Sequence, residues 1–374
     1  MSAPRLEIRL DRVRHNALSL TGQLGRRGIS VCGVTKASLG SPEIAHEYLV
    51  AGVRSLGDSR IENIETLRRA GITAEMMLIR TPMLSQVDRV VASADLSLNS
   101  ELEVIARLAD AALAQQKVHG VVLMVELGDL REGVLAADLS ELTERVLALP
   151  GVRVRGIGTN LACQSGVIPD EDKMAELSGL AEALERSFGI TLDVISGGNS
   201  ANLAWALRDS TEVGRVNHLR LGESLLLGRE PLGRTVVAGL RADAIILVGE
   251  VIEAKSKPAA PWGERAQSAF GALEESDHAS SATDLVGKRV LVALGRQDVD
   301  VDGLSAPPGY EILGSSSDHL VLQAQGALPA IGSELRFELN YSALMRSMAS
   351  SFVTRHYLRS DYRAKKMLTI GDVA

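Results

Sequence analysis

The sequence predicts an α/β protein, a (β/α)8 TIM barrel followed by a mostly antiparallel β domain. Three observations predict it. Eight short apolar runs alternate with helix-spaced segments over roughly 230 residues, the pattern of a parallel sheet closed on itself. Near residue 236 the texture changes to β-like runs with few helical stretches. The length of 374 residues suits two domains at about 100–200 residues each. The expected division is a barrel over 8–235 and a β domain over 236–374, the latter joined by an N-terminal strand within 1–7.

An opening strand near Leu6–Leu10 leads into an amphipathic helix. The eight barrel runs are Ile29–Thr35, Arg54–Gly57, Met76–Arg80, Asp95–Leu98, Gly120–Leu127, Val152–Thr159, Leu192–Ser196 and Leu219–Leu221. Between them, SPEIAHEYLVAG, RIENIETLRRAG, SELEVIARLADAALAQQK and DKMAELSGLAEALERSFG have helical spacing, several with terminal glycines. Ser41 before Pro42 and Ser100 before Glu101 read as helix starts. An open doubly wound sheet would look similar locally, but eight units favour closure. Beyond the barrel, Val236–Ala244, Ala244–Glu253, Lys288–Leu294, Tyr310–Leu313, His319–Gln323 and Glu334–Leu339 read as strands. Ala254–Asp284, rich in Ser, Ala, Pro and charge, reads as a long loop. The basic stretch Arg355–Lys366, interrupted by Asp361, reads as a solvated helix end.

Composition narrows the function classes. With 40 Lys+Arg against 47 Asp+Glu the net charge is −7, which argues against nucleic-acid binding as the main activity. Cys32 and Cys163 cannot build a disulfide framework, and no apolar run approaches the roughly 20 residues of a membrane span. The charged start lacks the apolar core of a signal peptide, so a soluble cytoplasmic protein is expected. The histidines are scattered without metal-ligand spacing, so no metal is expected.

Barrels of this kind carry their reactive groups at the C-terminal strand ends. Strand one ends in Val34-Thr35-Lys36, strand three in Ile79-Arg80 and strand four in Asn99. Strand five is followed by Asp129-Leu130-Arg131, and strand six ends in Thr159-Asn160. Strand seven ends in Ser196-Gly197-Gly198-Asn199-Ser200, and strand eight carries Arg220-Leu221-Gly222-Glu223. The set suits an anionic, phosphorylated ligand. Lys36 beside cationic neighbours in a desolvated mouth would have a depressed pKa and serve as nucleophile or base; the alternative is a lysine snorkelling at a strand end. SGGNSANL offers a phosphate cradle, or simply a glycine-rich turn with Ser200 as a cap. Together an isolated amine and a phosphate nest suggest a Schiff base with pyridoxal phosphate.

The chain resembles the alanine racemase-like (fold type III) pyridoxal-phosphate enzymes, most closely the ornithine racemase-type amino-acid racemases. The resemblance rests on GVTKA (33–37), DSRIEN (58–63), LGDLREG (127–133), GIGTNLAC (156–163), SGGNS (196–200), LRLGESLLLG (219–228), GRQDVD (295–300), GSSSDH (314–319) and NYSAL (340–344), in order and spacing along nearly the whole chain. It implies that Lys36 forms the Schiff base and acts as one catalytic base. It implies that Ser200, the backbone of Gly222 and Glu223, and Tyr341 bind the phosphate. Arg220 would face the pyridine nitrogen and keep it unprotonated, and Arg131 would lie near the phenolic oxygen or the substrate carboxylate. Asn160 takes the place of a histidine stacked near the ring and would make only a polar contact.

Two departures from alanine racemases stand out. Lys36-Ala37-Ser38-Leu39-Gly40 lacks their phosphate-contacting tyrosine, and Phe270 in SAFG stands where the partner subunit's tyrosine would supply a second base. By resemblance Asp318 recognises the terminal ammonium of ornithine or lysine. Ser317, His319 and Cys163 are then candidates for the second proton transfer, His319 with the most suitable intrinsic pKa; the alternatives are a loop histidine and a buried small residue. Arg80 and Arg296 are carboxylate anchors or structural ion-pair members. The implied activity is racemisation of a small basic amino acid in a head-to-tail homodimer with shared active sites. A decarboxylase, lyase or aldolase of the same fold type and a non-catalytic cofactor-binding protein are the alternatives.

Overall fold

The computed structural model describes residues 2–208, 210, 212–259, 261–264, 267, 270 and 286–359. The chain forms two units, Leu10–Ala244 and, in the second, Met1–Arg9 with the described residues from Ile245 onward.

In the first unit the eight apolar runs become eight parallel strands: Ser30–Val34, Ser55–Asp58, Glu75–Leu78, Leu96–Asn99, His119–Met124, Val152–Gly158, Val194–Gly198 and His218–Leu221. They close into a barrel when the eighth pairs with the first, Ser30 opposite His218 through Gly33 opposite Leu221. Most of these strands are buried on both faces, which is why they read as continuous apolar runs with little alternation. Met77, Leu96, Leu98, Val122, Met124 and Val194 pack into one buried apolar cluster. Strand five stops at Met124, short of the expected Leu127. Val125 forms a single bridge with Val134, and the Glu126 N–H turns to the Val134 carbonyl at 2.9 Å. Gly156 lets strands six and seven meet, since a Cβ there would fall 1.8 Å from the Val194 oxygen.

The helices sit where the spacing placed them: Pro42–Val50, Ile61–Arg69, Leu102–Ala114 and Glu171–Phe188. Ser41 Oγ accepts the Ile44 N–H as a cap. Ser100 does not play that role: Glu101 occupies the cap position of Leu102–Ala114, and Ser100 Oγ instead lies 3.5 Å from Thr81 Oγ1.

In the second unit the long strand Ile245–Pro258 is central. It pairs antiparallel with Arg5–Arg9, Val286–Val292 and Glu334–Leu339, while Leu320–Ala324 and Tyr310–Ser315 extend the sheet. Thr354–Leu358 pairs parallel with Arg5–Arg9. Three expectations need correction. Val236–Ala244 is not a strand: Val236 makes one bridge to Arg229, and Gly239 at φ +83° turns the chain. Ala254–Pro258 continues the central strand rather than opening the loop, most of whose remainder lies outside the described residues. The start of the basic stretch, Arg355–Leu358, is strand, not helix end. NYSAL begins a helix, Tyr341–Ala349, capped by Asn340 Oδ1 accepting the Ala343 N–H at 2.9 Å. No described helix is long and apolar enough to cross a membrane.

Candidate active site

The C-terminal rim of the barrel gathers the titratable side chains that the strand-end rule selects. Lys36 opens a short 3-10 turn directly after strand one and is half-buried. Burial pushes its ammonium pKa down; Cys163 pulls it up, Arg131 lowers it, Asp58 raises it and Arg220 lowers it, with a net depression. Such an amine is more readily deprotonated near neutral pH than a surface lysine. Asp58, fully buried, accepts from Thr35 Oγ1 at 2.7 Å, the Arg60 N–H at 2.9 Å and Asn63 Nδ2 at 3.0 Å. Burial nevertheless holds its carboxyl above the usual range.

Arg220 is 4% exposed at the end of strand eight. Its guanidinium donates to Ser196 Oγ, to the Thr159 carbonyl at 2.9 Å and to Asn160 Oδ1 at 3.4 Å. Among the described residues no carboxylate lies within ion-pair distance of it, and burial lowers its pKa, though a guanidinium remains charged. Ser196 Oγ also lies 2.9 Å from Nδ1 of His218, whose pKa burial lowers to about 3, with Arg220 acting in the same direction.

The SGGNS turn closes this cluster. Gly198 has φ +142°, and a Cβ there would collide with Asn202 Oδ1 at 2.2 Å, so the turn needs glycine. Asn199 Oδ1 accepts the Ala201 N–H, while Asn199 Nδ2 reaches Asn160 Oδ1 at 3.2 Å, the Leu161 carbonyl at 2.9 Å and Cys163 Sγ at 3.5 Å. Ser200 Oγ lies 3.0 Å from Ser224 Oγ and accepts the Ser224 N–H at 3.3 Å. Gly222 and Glu223 follow strand eight; burial raises the Glu223 carboxyl to about 7, against the pull of Arg234. Two buried polar atoms, Thr159 Oγ1 and Asn160 Nδ2, have no hydrogen-bond partner among the described residues. A fixed cation, a depressed amine and two unmet polar atoms make a rim suited to an acceptor-bearing ligand.

The structure thus brings Lys36, Arg131, Asn160, Cys163, Arg220 and Glu223 into one electrostatic cluster, with Ser200 and Gly222 on the same rim. Cys163 is exposed, which removes the reading of a buried small residue. Arg131 pairs with Glu132 at 2.6 Å, and Arg80 is half-buried after strand three. The remaining predicted residues belong to the second unit. There Asp318 accepts from Gln297 Nε2 at 2.5 Å and Ser317 Oγ at 2.8 Å, while the exposed His319 is tied to Ser316 through its N–H at 3.1 Å. Tyr341 starts its helix, and the Arg296 guanidinium carbon lies 5.4 Å from the Phe270 ring centroid. A cavity of 980 Å³ opens at the opposite, N-terminal rim, but the arginines there already pair with Asp95, Glu75 and Asp193. Thr159 and Ser196 stand on the list of strand ends without a role of their own, and Asp58, Ser224 and His218 are not on it. The strand-end rule applied to strand two would have selected Asp58.

Comparison with known proteins places the chain and its fold in a family. The family described as alanine racemase, N-terminal domain, matches residues 8–230. A lysine racemase of Thermotoga maritima is 35% identical over 96% of this chain and 99% of its own. An ornithine racemase of Acetoanaerobium sticklandii is 34% identical over 95% and 99%. Alanine racemase from D-cycloserine-producing Streptomyces lavendulae shares the fold with a TM-score of 0.74, at 21% identity over 96% of this chain and 98% of that one. With a depressed lysine and a buried arginine on the rim of an eight-stranded barrel, and relatives matched from end to end, the chain belongs to the alanine racemase family.

Proposed function

We propose that this protein is a pyridoxal-phosphate-dependent racemase of basic amino acids, with lysine and ornithine as its substrates. The observation that carries the reading is Lys36, an amine of lowered pKa on the same rim as the buried guanidinium of Arg220. The activities of the two full-length relatives support the substrate class.

The residues present fit the cofactor. Lys36 would hold its aldehyde carbon, and Ser200 with the backbone N–H groups of Gly222 and Glu223 its phosphate. Arg220 would face the ring nitrogen, and Arg131 the phenolic oxygen or substrate carboxylate. Thr159 Oγ1 and Asn160 Nδ2, without a hydrogen-bond partner among the described residues, are polar atoms that such a ligand would satisfy. When bound, pyridoxal phosphate acidifies the α C–H of an attached amino acid by drawing electrons into its ring.

Everything else falls to the protein. Lys36 Nζ takes the α proton from one face, or returns it there. A second group holds the proton for the other face, and Cys163, exposed and close enough to Lys36 to act on its charge, is the candidate within the barrel. Arg220, permanently charged and already donating, offers the ring nitrogen no proton to take up. Tyr341 as a phosphate ligand, Asp318 as the site for the distal ammonium, Ser317 and His319 as alternative proton carriers, a homodimeric assembly and a cytoplasmic location are part of the same proposal. Substitution, sedimentation and fractionation test them.

The deciding experiment incubates the purified protein with a panel of L-amino acids in deuterated buffer and separates enantiomers by chiral chromatography. D-lysine or D-ornithine should accumulate with deuterium at Cα, and Lys36→Ala should abolish it. Diamine and carbon dioxide in place of a D-amino acid, or full turnover by Lys36→Ala, would overturn the proposal.

A further inference from the structure

Beneath Arg220 the barrel buries two polar side chains that the proposed reaction leaves idle. Ser196 is fully buried and His218 is 5% exposed. They sit at opposed positions of the neighbouring strands seven and eight. The order of donors among the three groups is fixed by chemistry. A guanidinium only donates, so Ser196 Oγ accepts from Arg220, and the serine's own proton must go elsewhere. Among the described residues His218 Nδ1, 2.9 Å away, is the one acceptor within reach of that proton, and a proton on Nδ1 would leave the buried hydroxyl without any, which assigns the imidazole as neutral with its proton on Nε2.

This arrangement has a consequence for Arg220. Its other acceptors are the Thr159 carbonyl, which cannot rotate, and Asn160 Oδ1, at the longer distance of 3.4 Å and shared with Asn199. The Ser196 hydroxyl can rotate. Were its proton aimed at the guanidinium, it would repel the cation and leave a buried donor without an acceptor. The histidine removes that option. We infer that Ser196 and His218 are positioning residues for Arg220: the imidazole takes the serine's proton, the Oγ lone pair is thereby turned to the guanidinium, and the plane of that fork is fixed at the rim. The inference rests on the proposed reading of Arg220 as the group facing the cofactor's ring nitrogen.

The test compares the holoenzyme with His218→Leu, His218→Asn, Ser196→Ala and Arg220→Lys. Asparagine places Oδ1 where the imidazole carries Nδ1, so it keeps the acceptor that leucine removes. His218→Leu and Ser196→Ala should move the absorption maximum of the bound cofactor in the direction that Arg220→Lys moves it. They should weaken pyridoxal-phosphate binding about tenfold, and lower kcat about tenfold with KM changed less than about threefold, the scale of one lost buried hydrogen bond. His218→Asn should restore all three. A parental spectrum and affinity in His218→Leu, or a His218→Asn as impaired as His218→Leu, overturns the inference. If the leucine and alanine variants do not fold, imidazole 15N spectra of the unsubstituted protein decide it. His218, identified by the signal lost in His218→Asn, must be neutral with its proton on Nε2, and a proton on Nδ1 refutes the relay. Failure of the unsubstituted protein to bind pyridoxal phosphate would sink the proposed function instead, while the tautomer still tests the relay.

Discussion

Acidification should destabilise the barrel through two histidines buried as neutral imidazoles. Burial lowers the pKa of His119 from 6.5 to about 4 and that of His218 to about 3. At 2% and 5% exposure, solvent screens neither group appreciably. Because both folded values lie below the unfolded one, the unfolded chain binds more protons below pH 6.5, and stability falls as pH drops through that value. At pH 5 an unfolded histidine is almost fully protonated while each buried one stays neutral, so each costs about 2 kcal/mol and the pair about 4 kcal/mol relative to pH 8. Urea unfolding read through Trp205, which is 3% exposed in the barrel, measures this directly. His119→Gln keeps an acceptor for Ser97 Oγ, which lies 2.9 Å from His119 Nε2, but cannot be protonated. That variant should lose about 2 kcal/mol less than the parent between pH 8 and pH 5. Equal losses in the two proteins would refute the assignment of His119 as a buried neutral group.

Glu223 should behave with the opposite sign. Burial raises its carboxyl from 4.5 to about 7, so its ionisation costs stability as pH rises through that interval. Glu223→Gln should leave stability at pH 4.5 unchanged and raise it at pH 8 by about 1 kcal/mol, after allowance for solvent at a part-exposed group; equal gains at both pH values in urea melts would rule this out. Replacing Cys163 by alanine should lower racemisation about 10²–10⁴-fold, with Cα deuterium exchange surviving in the recovered substrate, if the thiol is the second proton carrier. Unchanged turnover would pass the role to Ser317 or His319. Gly156→Ala should cost more than about 3 kcal/mol, because the new Cβ would lie 1.8 Å from the Val194 oxygen; a soluble protein with the parental melting temperature would contradict the strand contact.

The barrel was legible because its strands are buried on both faces and its helices on one, so the two periodicities alternate in the sequence itself. The second unit was less so. Val236 and Val237 have the composition of a strand, yet Gly239 at positive φ turns the chain before a ladder can form. Tyr341–Ala349 carries few strong apolar positions, and its start is set by the Asn340 cap, a single side chain that spacing does not advertise. At the site, Lys36 and Arg220 were found because they end strands, while Asp58 was passed over although it ends one too. Ser196 was seen as part of a turn and His218 as one of several scattered histidines. Their relation is a contact between adjacent strands set by register, and one sequence without its pairing does not contain it.

The rim's charges explain why these supports matter. Lys36 is pushed toward the free amine by burial, Arg131 and Arg220, and held back by Cys163 and Asp58. Arg220 enters that balance as a full charge in a buried setting with no carboxylate partner among the described residues, where Coulomb interactions are several-fold stronger than in water. A small rotation of its guanidinium therefore changes what a ring nitrogen would meet, while its charge adds to the burial and to Arg131 in favouring the free amine of Lys36. Neutral acceptors on Thr159, Asn160 and Ser196 can hold the cation in place without cancelling it, whereas a carboxylate there would cancel Arg220's contribution to lowering the lysine, which adds to the larger effects of burial and Arg131. By that logic, Ser196→Asp should raise the pKa of Lys36, and the pH at which the free amine of the cofactor-free protein reacts with an aldehyde should move upward with it. A pH profile that stays put would show that Arg220 does not tune the lysine.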